Sequence, residues 1–134
     1  MKTILIDTNV IIYHLRGKYI FPEHLINSDL KISAITHGEI LFGINYSHRK
    51  ASDLNQYNKI LQVFDFEILD IDKNIIEAYS NIKYSLKSKG QSIEDFDILI
   101  AATAIAYRLP LFTYNIKHFK RIPNLILYQI SNGQ

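Results

Sequence analysis

Five short runs rich in β-branched and aromatic side chains mark the sequence at residues 3–6, 30–35, 67–71, 111–114 and 125–128. The first three gaps between them carry apolar residues at helical spacing, in segments 9–15, 36–46, 53–64, 72–89 and 93–107. This alternation constrains the fold more than any other feature. Strands separated by helices cannot meet as hairpins, so they lie side by side in parallel with helices over both faces. The expected fold class is therefore α/β, with a central, mainly parallel, five-stranded sheet flanked by helices. In such sheets chemistry collects beyond the carboxyl ends of the strands, near the point where the strand order reverses. Gly90, just after Lys87 and Lys89, is the expected stop of the fourth helix.

The stretch TILIDTNVII, residues 3–12, breaks its own pattern. Ile4, Leu5 and Ile6 run into Asp7, and after Thr8 and Asn9 the apolar residues resume with Val10, Ile11 and Ile12. A charge between two core-bound runs needs a reason. Helix N-capping is one, since Asp, Thr and Asn all cap well. A single cap would suffice, however, and three polar residues in a row point to more.

Three further positions share this placement. Glu39 follows the LKISAI run, and THGE (36–39) fits a capping box in which Glu39 reaches back to the first amide of its helix. In SIEDFDILIAATAIAY, Ser92 and Asp95 fit a second capping box, which leaves Asp97 over. On a helix Asp97 shares a face with Ala101 and Ala104, small residues that allow close approach to the sheet. Asn115 ends the LFTYN run, where a turn is the simplest explanation. Carboxylates gathered in one cleft raise one another's pKa unless a cation neutralises them. Oxygen ligands, with no cysteine in the chain and no HExxH spacing, suit Mg²⁺ or Mn²⁺ rather than zinc.

Composition sets only outer limits. The 134 residues suit one domain, 1–134, and 48% hydrophobic with 21% charged residues is ordinary for a globular chain. No apolar run approaches the ~20 residues that cross a bilayer. The absence of cysteine and of a visible signal peptide suits a cytoplasmic location. The formal charge is only +2, but basic residues cluster at 48–50, at Lys87 and Lys89, and from Lys117 to Arg121, which suits a polyanionic partner.

Together ILIDTNVII, ISAITHGEILFGI, DFDILIAATAIAYRLPLFTYN and HFKRIPNL resemble the PIN-domain proteins, specifically the VapC-type toxin ribonucleases. The resemblance runs nearly end to end, with the motifs in the family's order. It implies a Rossmann-like domain that binds Mg²⁺ or Mn²⁺ and hydrolyses RNA phosphodiester bonds. It also implies a homodimer and an antitoxin protein whose segment occupies the active-site groove. Asp7, Glu39 and Asp97 match the family's acidic residues. Asn115 falls where many members carry a fourth acid, which leaves a less negative site here. On this resemblance Asp7 and Asp97 hold the metal, and Glu39 is a further ligand or a base acting through water. Thr8 and Asn115 position that water and the scissile phosphate. Lys117, Lys120 and Arg121 are the expected RNA contacts, with Arg49 and Lys50 secondary. The apolar stretch 10–22 is either plain packing or a groove for the antitoxin or a second subunit.

Other classes fit less well. An aspartyl-phosphate hydrolase wants a second Asp two residues after the first, and that position is Asn9. Gly38-x₄-Gly43 lacks the Lys-Ser/Thr of a P-loop, and no G-x-S-x-G elbow exists. A PIN-like scaffold that binds RNA or protein without cutting remains the alternative, with Asn115 as its foothold.

Overall fold

The computed structural model describes residues 2–17 and 23–129. Four strands form one sheet: β1 (Thr3–Ile6), β2 (Asp29–Ser33), β3 (Glu67–Leu69) and β4 (Leu111–Phe112). All pair in parallel, in the order β3-β2-β1-β4. The helices are α1 (Thr8–Leu15), α2 (Glu23–Ile26), α3 (Ala34–Asn45), α4 (Lys50–Val63), α5 (Lys73–Ser88), α6 (Asp95–Tyr107) and α7 (Ile116–Phe119). The chain steps outward from β1 to β2 and β3, then returns to lay β4 on the other side of β1. The strand order thus reverses at the β1–β4 seam, where connections leaving in opposite directions open a crevice at the carboxyl ends.

β1 shows why its apolar run is unbroken. Leu5 joins the core beneath α5 and α6, while Ile4 and Ile6 join the core with α1, α3 and α4. All three are fully buried because both faces of the sheet are covered. Each such side chain stabilises the fold by roughly 1.5–3 kcal/mol. The small face of α6 is equally buried: Ala101 and Ala104 lie in the cluster that holds Leu5 and Leu111. At the far end of α5, Gly90 has φ +67°. Its amide bonds to Lys87 O at 3.1 Å and that of Gln91 to Leu86 O at 2.9 Å, a Schellman stop where the sequence expects one.

The expected fifth strand contributes less than a strand. Segment 125–128 makes one parallel bridge, Leu127 with Leu111, on the outer side of β4. Two causes act together: Asn124 turns the chain at φ +68° just before the segment, and β4 offers an edge of only two residues. Among the described residues the sheet has four strands rather than the expected five. β2 also stops earlier than expected, because Ser33 caps α3 by accepting the Ile35 amide at 3.0 Å. Of the apolar stretch 10–22, residues 18–22 lie outside the described residues.

Candidate active site

Asp7 stands at the carboxyl end of β1, on the seam. It caps α1, with Oδ1 accepting the Thr8 amide at 2.8 Å. Oδ2 accepts the hydroxyl of Thr113, just past the end of β4, at 2.7 Å, and the Asp7 amide bonds to Phe112 O at 2.9 Å. The capping explanation therefore holds for Oδ1, while Oδ2 ties the end of β1 to the end of β4. Asp7 is only 3% exposed. Burial pushes its carboxyl up to about 6 against the two hydrogen bonds, and the charges of Asp97 and Glu39 push the same way. No lysine or arginine among the described residues pairs with it.

Glu39 does not close a capping box. The cap of α3 is Ser33, which puts Thr36 inside the first turn and leaves Glu39 without the amide it was expected to reach. Glu39 turns instead to the start of α1, where Oε1 lies 2.7 Å from Thr8 Oγ1. Thr8 Oγ1 is also 2.9 Å from Thr36 Oγ1. A hydroxyl has one proton and a carboxylate only accepts, so Thr8 donates to Glu39 while a lone pair remains for the Thr36 hydroxyl. Thr8 and Thr36 are both buried. The pair fixes Glu39 beside the strand end.

The second capping box also fails, again because another residue starts the helix. Glu94 caps α6 with no side-chain hydrogen bond, and Asp95 points to α5, where it meets Tyr79 Oη at 2.9 Å and Lys83 Nζ at 2.9 Å. Those contacts hold Asp95 below the usual carboxylate range. Two residues on, half-buried Asp97 has no such partner. Burial and then the charge of Glu39 raise its pKa; His118 opposes this and Glu94 adds to it. Asp7, Glu39 and Asp97 are thus near enough to repel one another. Among the described residues no three acidic or histidine side chains converge on a common ion. The donor set still fits Mg²⁺ or Mn²⁺: such an ion keeps several waters and needs only one or two carboxylates. Asp7 and Asp97 are both charge-repelled and have no lysine or arginine in contact among the described residues.

Asn115 closes the other side. Its amide bonds to Thr113 Oγ1 at 2.9 Å, and its Oδ1 lies 2.6 Å from Nδ1 of His118 on α7. Asn115 and Asp97 line a cavity of about 580 Å³ between α5 and α6, together with His118, Lys83, Lys87, Ser92 and Glu94. Lys117 and Lys120 are exposed and Arg121 half-buried along and after α7, but none of the three lines this cavity. Sequence reasoning missed Thr113, Thr36 and His118. The T-x-N spacing of Thr113 and Asn115 was the available signal for the first, while Thr36 reads in the sequence only as a cap and His118 only as part of the basic cluster 117–121.

The family model described as PIN domain matches residues 4–125, a span that contains every site residue named above. The chain belongs to the PIN-domain family. Among its PIN relatives, ribonuclease VapC2 of Rickettsia felis is 37% identical over 128 residues, covering 92% of this chain and 94% of that protein. Ribonuclease VapC1 of Methanocaldococcus jannaschii is 39% identical over 119 residues, covering 89% and 80%. The PIN fold described here also matches VapBC2 from Rickettsia felis, solved bound to a DNA fragment from their promoter. That match has a TM-score of 0.85 and 31% identity, and covers 96% of this chain and 99% of that one. No helix among the described residues is long and apolar enough to cross a membrane.

Proposed function

We propose that this PIN-domain chain is a metal-dependent endoribonuclease that hydrolyses RNA phosphodiester bonds as the toxin of a toxin–antitoxin pair. The observation that carries this reading is Asp7: a carboxylate 3% exposed, held by Thr8 and Thr113 at the strand-order reversal, with Asp97 and Glu39 beside it and no lysine or arginine among the described residues paired to it. Burying such a charge costs too much to be retained for packing alone. Its similarity to ribonucleases VapC supports the substrate, and its likeness to VapBC2 supports an antitoxin partner.

Asp7 and Asp97 are the residues to hold Mg²⁺ or Mn²⁺. An ion held there would lower the pKa of a bound water toward neutral and stabilise charge developing on the phosphorus oxygens. Glu39 has one carboxylate oxygen committed to Thr8 and the other free, so it either joins the ligands or takes a proton from the attacking water. Asn115 contacts the scissile phosphate, and Thr8 keeps Glu39 turned toward the attacking water. Lys117, Lys120 and Arg121 carry the neighbouring RNA phosphates. The whole of 1–134 acts as one domain, in the cytoplasm and as a homodimer.

Purified protein incubated with total RNA and Mg²⁺ is expected to generate new ends that EDTA prevents. Intact RNA in the presence of Mg²⁺ and Mn²⁺ would remove the nuclease reading. Calorimetric titration of metal into the wild type and Asp97→Asn separates it from a non-catalytic binding module, which needs no ion at this site.

A further inference from the structure

Oδ1 of Asn115 can only accept, so His118 Nδ1, at 2.6 Å, carries the hydrogen between them. That fixes the plane of the carboxamide. It also leaves the two Nδ2 hydrogens without a hydrogen-bond partner among the described residues, on a side chain that lines the cavity next to Asp97. The backbone of Asn115 is pinned as well, through its amide to Thr113 Oγ1, and Thr113 in turn donates to Asp7. A continuous chain of contacts thus runs His118–Asn115–Thr113–Asp7, from α7 across the ends of β4 and β1. Two of the three links restrain Asn115 and Asp7 relative to each other, and the third, from His118, decides which end of the carboxamide faces the cavity.

We propose that His118 is a positioning residue that turns the Asn115 carboxamide so its Nδ2 hydrogens, rather than its oxygen, meet a phosphate oxygen of the RNA at this site. This rests on the ribonuclease reading above and adds a part to it. A corner that would otherwise present an acceptor to an anion presents two donors. His118 itself acts only through Asn115 and does not touch the substrate. Without its hydrogen bond the carboxamide is free to rotate, and half of its orientations set oxygen against oxygen.

The test is a double-mutant cycle on the full chain, measuring kcat and KM for a short single-stranded RNA and, in an Asp97→Asn background, the Kd for the same RNA. His118→Ala should lower kcat about tenfold to a hundredfold, the scale seen when a group that orients a reacting residue is removed. In an Asn115→Ala background the same change should cost nothing further. His118→Asn places a donor near the position of Nδ1 and should restore most of the activity, whereas His118→Gln, which mimics Nε2, should not. His118 is exposed, so melting temperatures should be unchanged across the set. The proposal is overturned by an equal loss in the Asn115→Ala background, which would mean His118 acts on Asp97 or the RNA directly, or by full activity of His118→Ala. If the wild type does not cut RNA, the nuclease reading fails by itself. The cycle is then read in Kd, where additive losses overturn the positioning role and a coupled loss sustains it.

Discussion

On one side of the sheet, Asp29 of β2 and Glu67 of β3 share Lys31. Its ammonium lies 3.3 Å from Asp29 and bonds to Glu67, its register partner across the strands, and that bond raises the pKa of Lys31. At the β1–β4 seam, Asp7, Glu39 and Asp97 repel one another, and no lysine or arginine among the described residues is paired with any of them. Both groups bring carboxylates from separate elements to one place. One is complete as folded and the other is not. The same contrast recurs within two residues on α6, where Asp95 is neutralised by Lys83 and Asp97 is left with raised pKa. Lys83 and Lys87 line the same cavity as Asp97, yet among the described residues the ion pair formed there is Lys83 with Asp95.

The sharpest way to break the comparison is to remove the unneutralised charges. Asp7→Asn and Asp97→Asn should each lower Mg²⁺-dependent RNA cleavage by about a hundred- to a thousandfold. Gel assays on folded, purified variants measure this, and full activity in either would mean the seam is not the reacting centre.

Metal-free stability should show the next largest effect. The Asp7 carboxyl rises from 3.8 to about 6 on folding. Below pH 3.8 it is protonated folded or unfolded and the shift has no consequence. Between the two values the folded state binds the extra proton, so stability falls as pH rises, and above about 6 the full deficit stays, about 3 kcal/mol for two units. In EDTA the wild type should therefore melt on the order of ten degrees lower at pH 7.5 than Asp7→Asn does, with the gap closing toward pH 4. Added Mg²⁺ should raise the melting temperature of the wild type and leave the variant unmoved. Equal melting curves for the two proteins in EDTA would show that the charge carries no strain.

Cations outside the seam should matter for binding rather than chemistry. Lys120→Ala with Arg121→Ala should flatten the salt dependence of single-stranded RNA affinity by about 1.4 in log–log slope, two phosphate contacts at ~0.7 each. An unaltered slope would take both off the RNA path. The smallest effect belongs to the completed group. Lys31→Met should cost about 1 kcal/mol or less, as exposed ion pairs do, and leave cleavage unchanged, with chemical denaturation as the measure.

The α/β class was legible because its cause is local: short apolar runs alternating with helical periodicity. Asp7 was legible for a similar reason, as a charge that breaks a run. The two capping boxes misled because S/T-x-x-E/D matches are decided by which residue starts the helix. Ser33, three residues before Thr36, took that role for α3, and Glu94 took it for α6. The fifth strand was misjudged because pairing needs a partner edge, and β4 supplies two residues. Thr113 was passed over because its bond to Asp7 spans 106 positions of sequence, a distance at which no periodicity carries information.

That span has a consequence for synthesis. A ribosome delivers Thr113 a full 106 positions after Asp7. Until β4 has emerged and settled beside β1, nothing latches the aspartate and nothing holds Asn115 opposite it. A chain that has β1, β2 and β3 but not yet β4 lacks the Thr113 hydrogen bond to Asp7. The seam therefore takes shape only once β4 has been made.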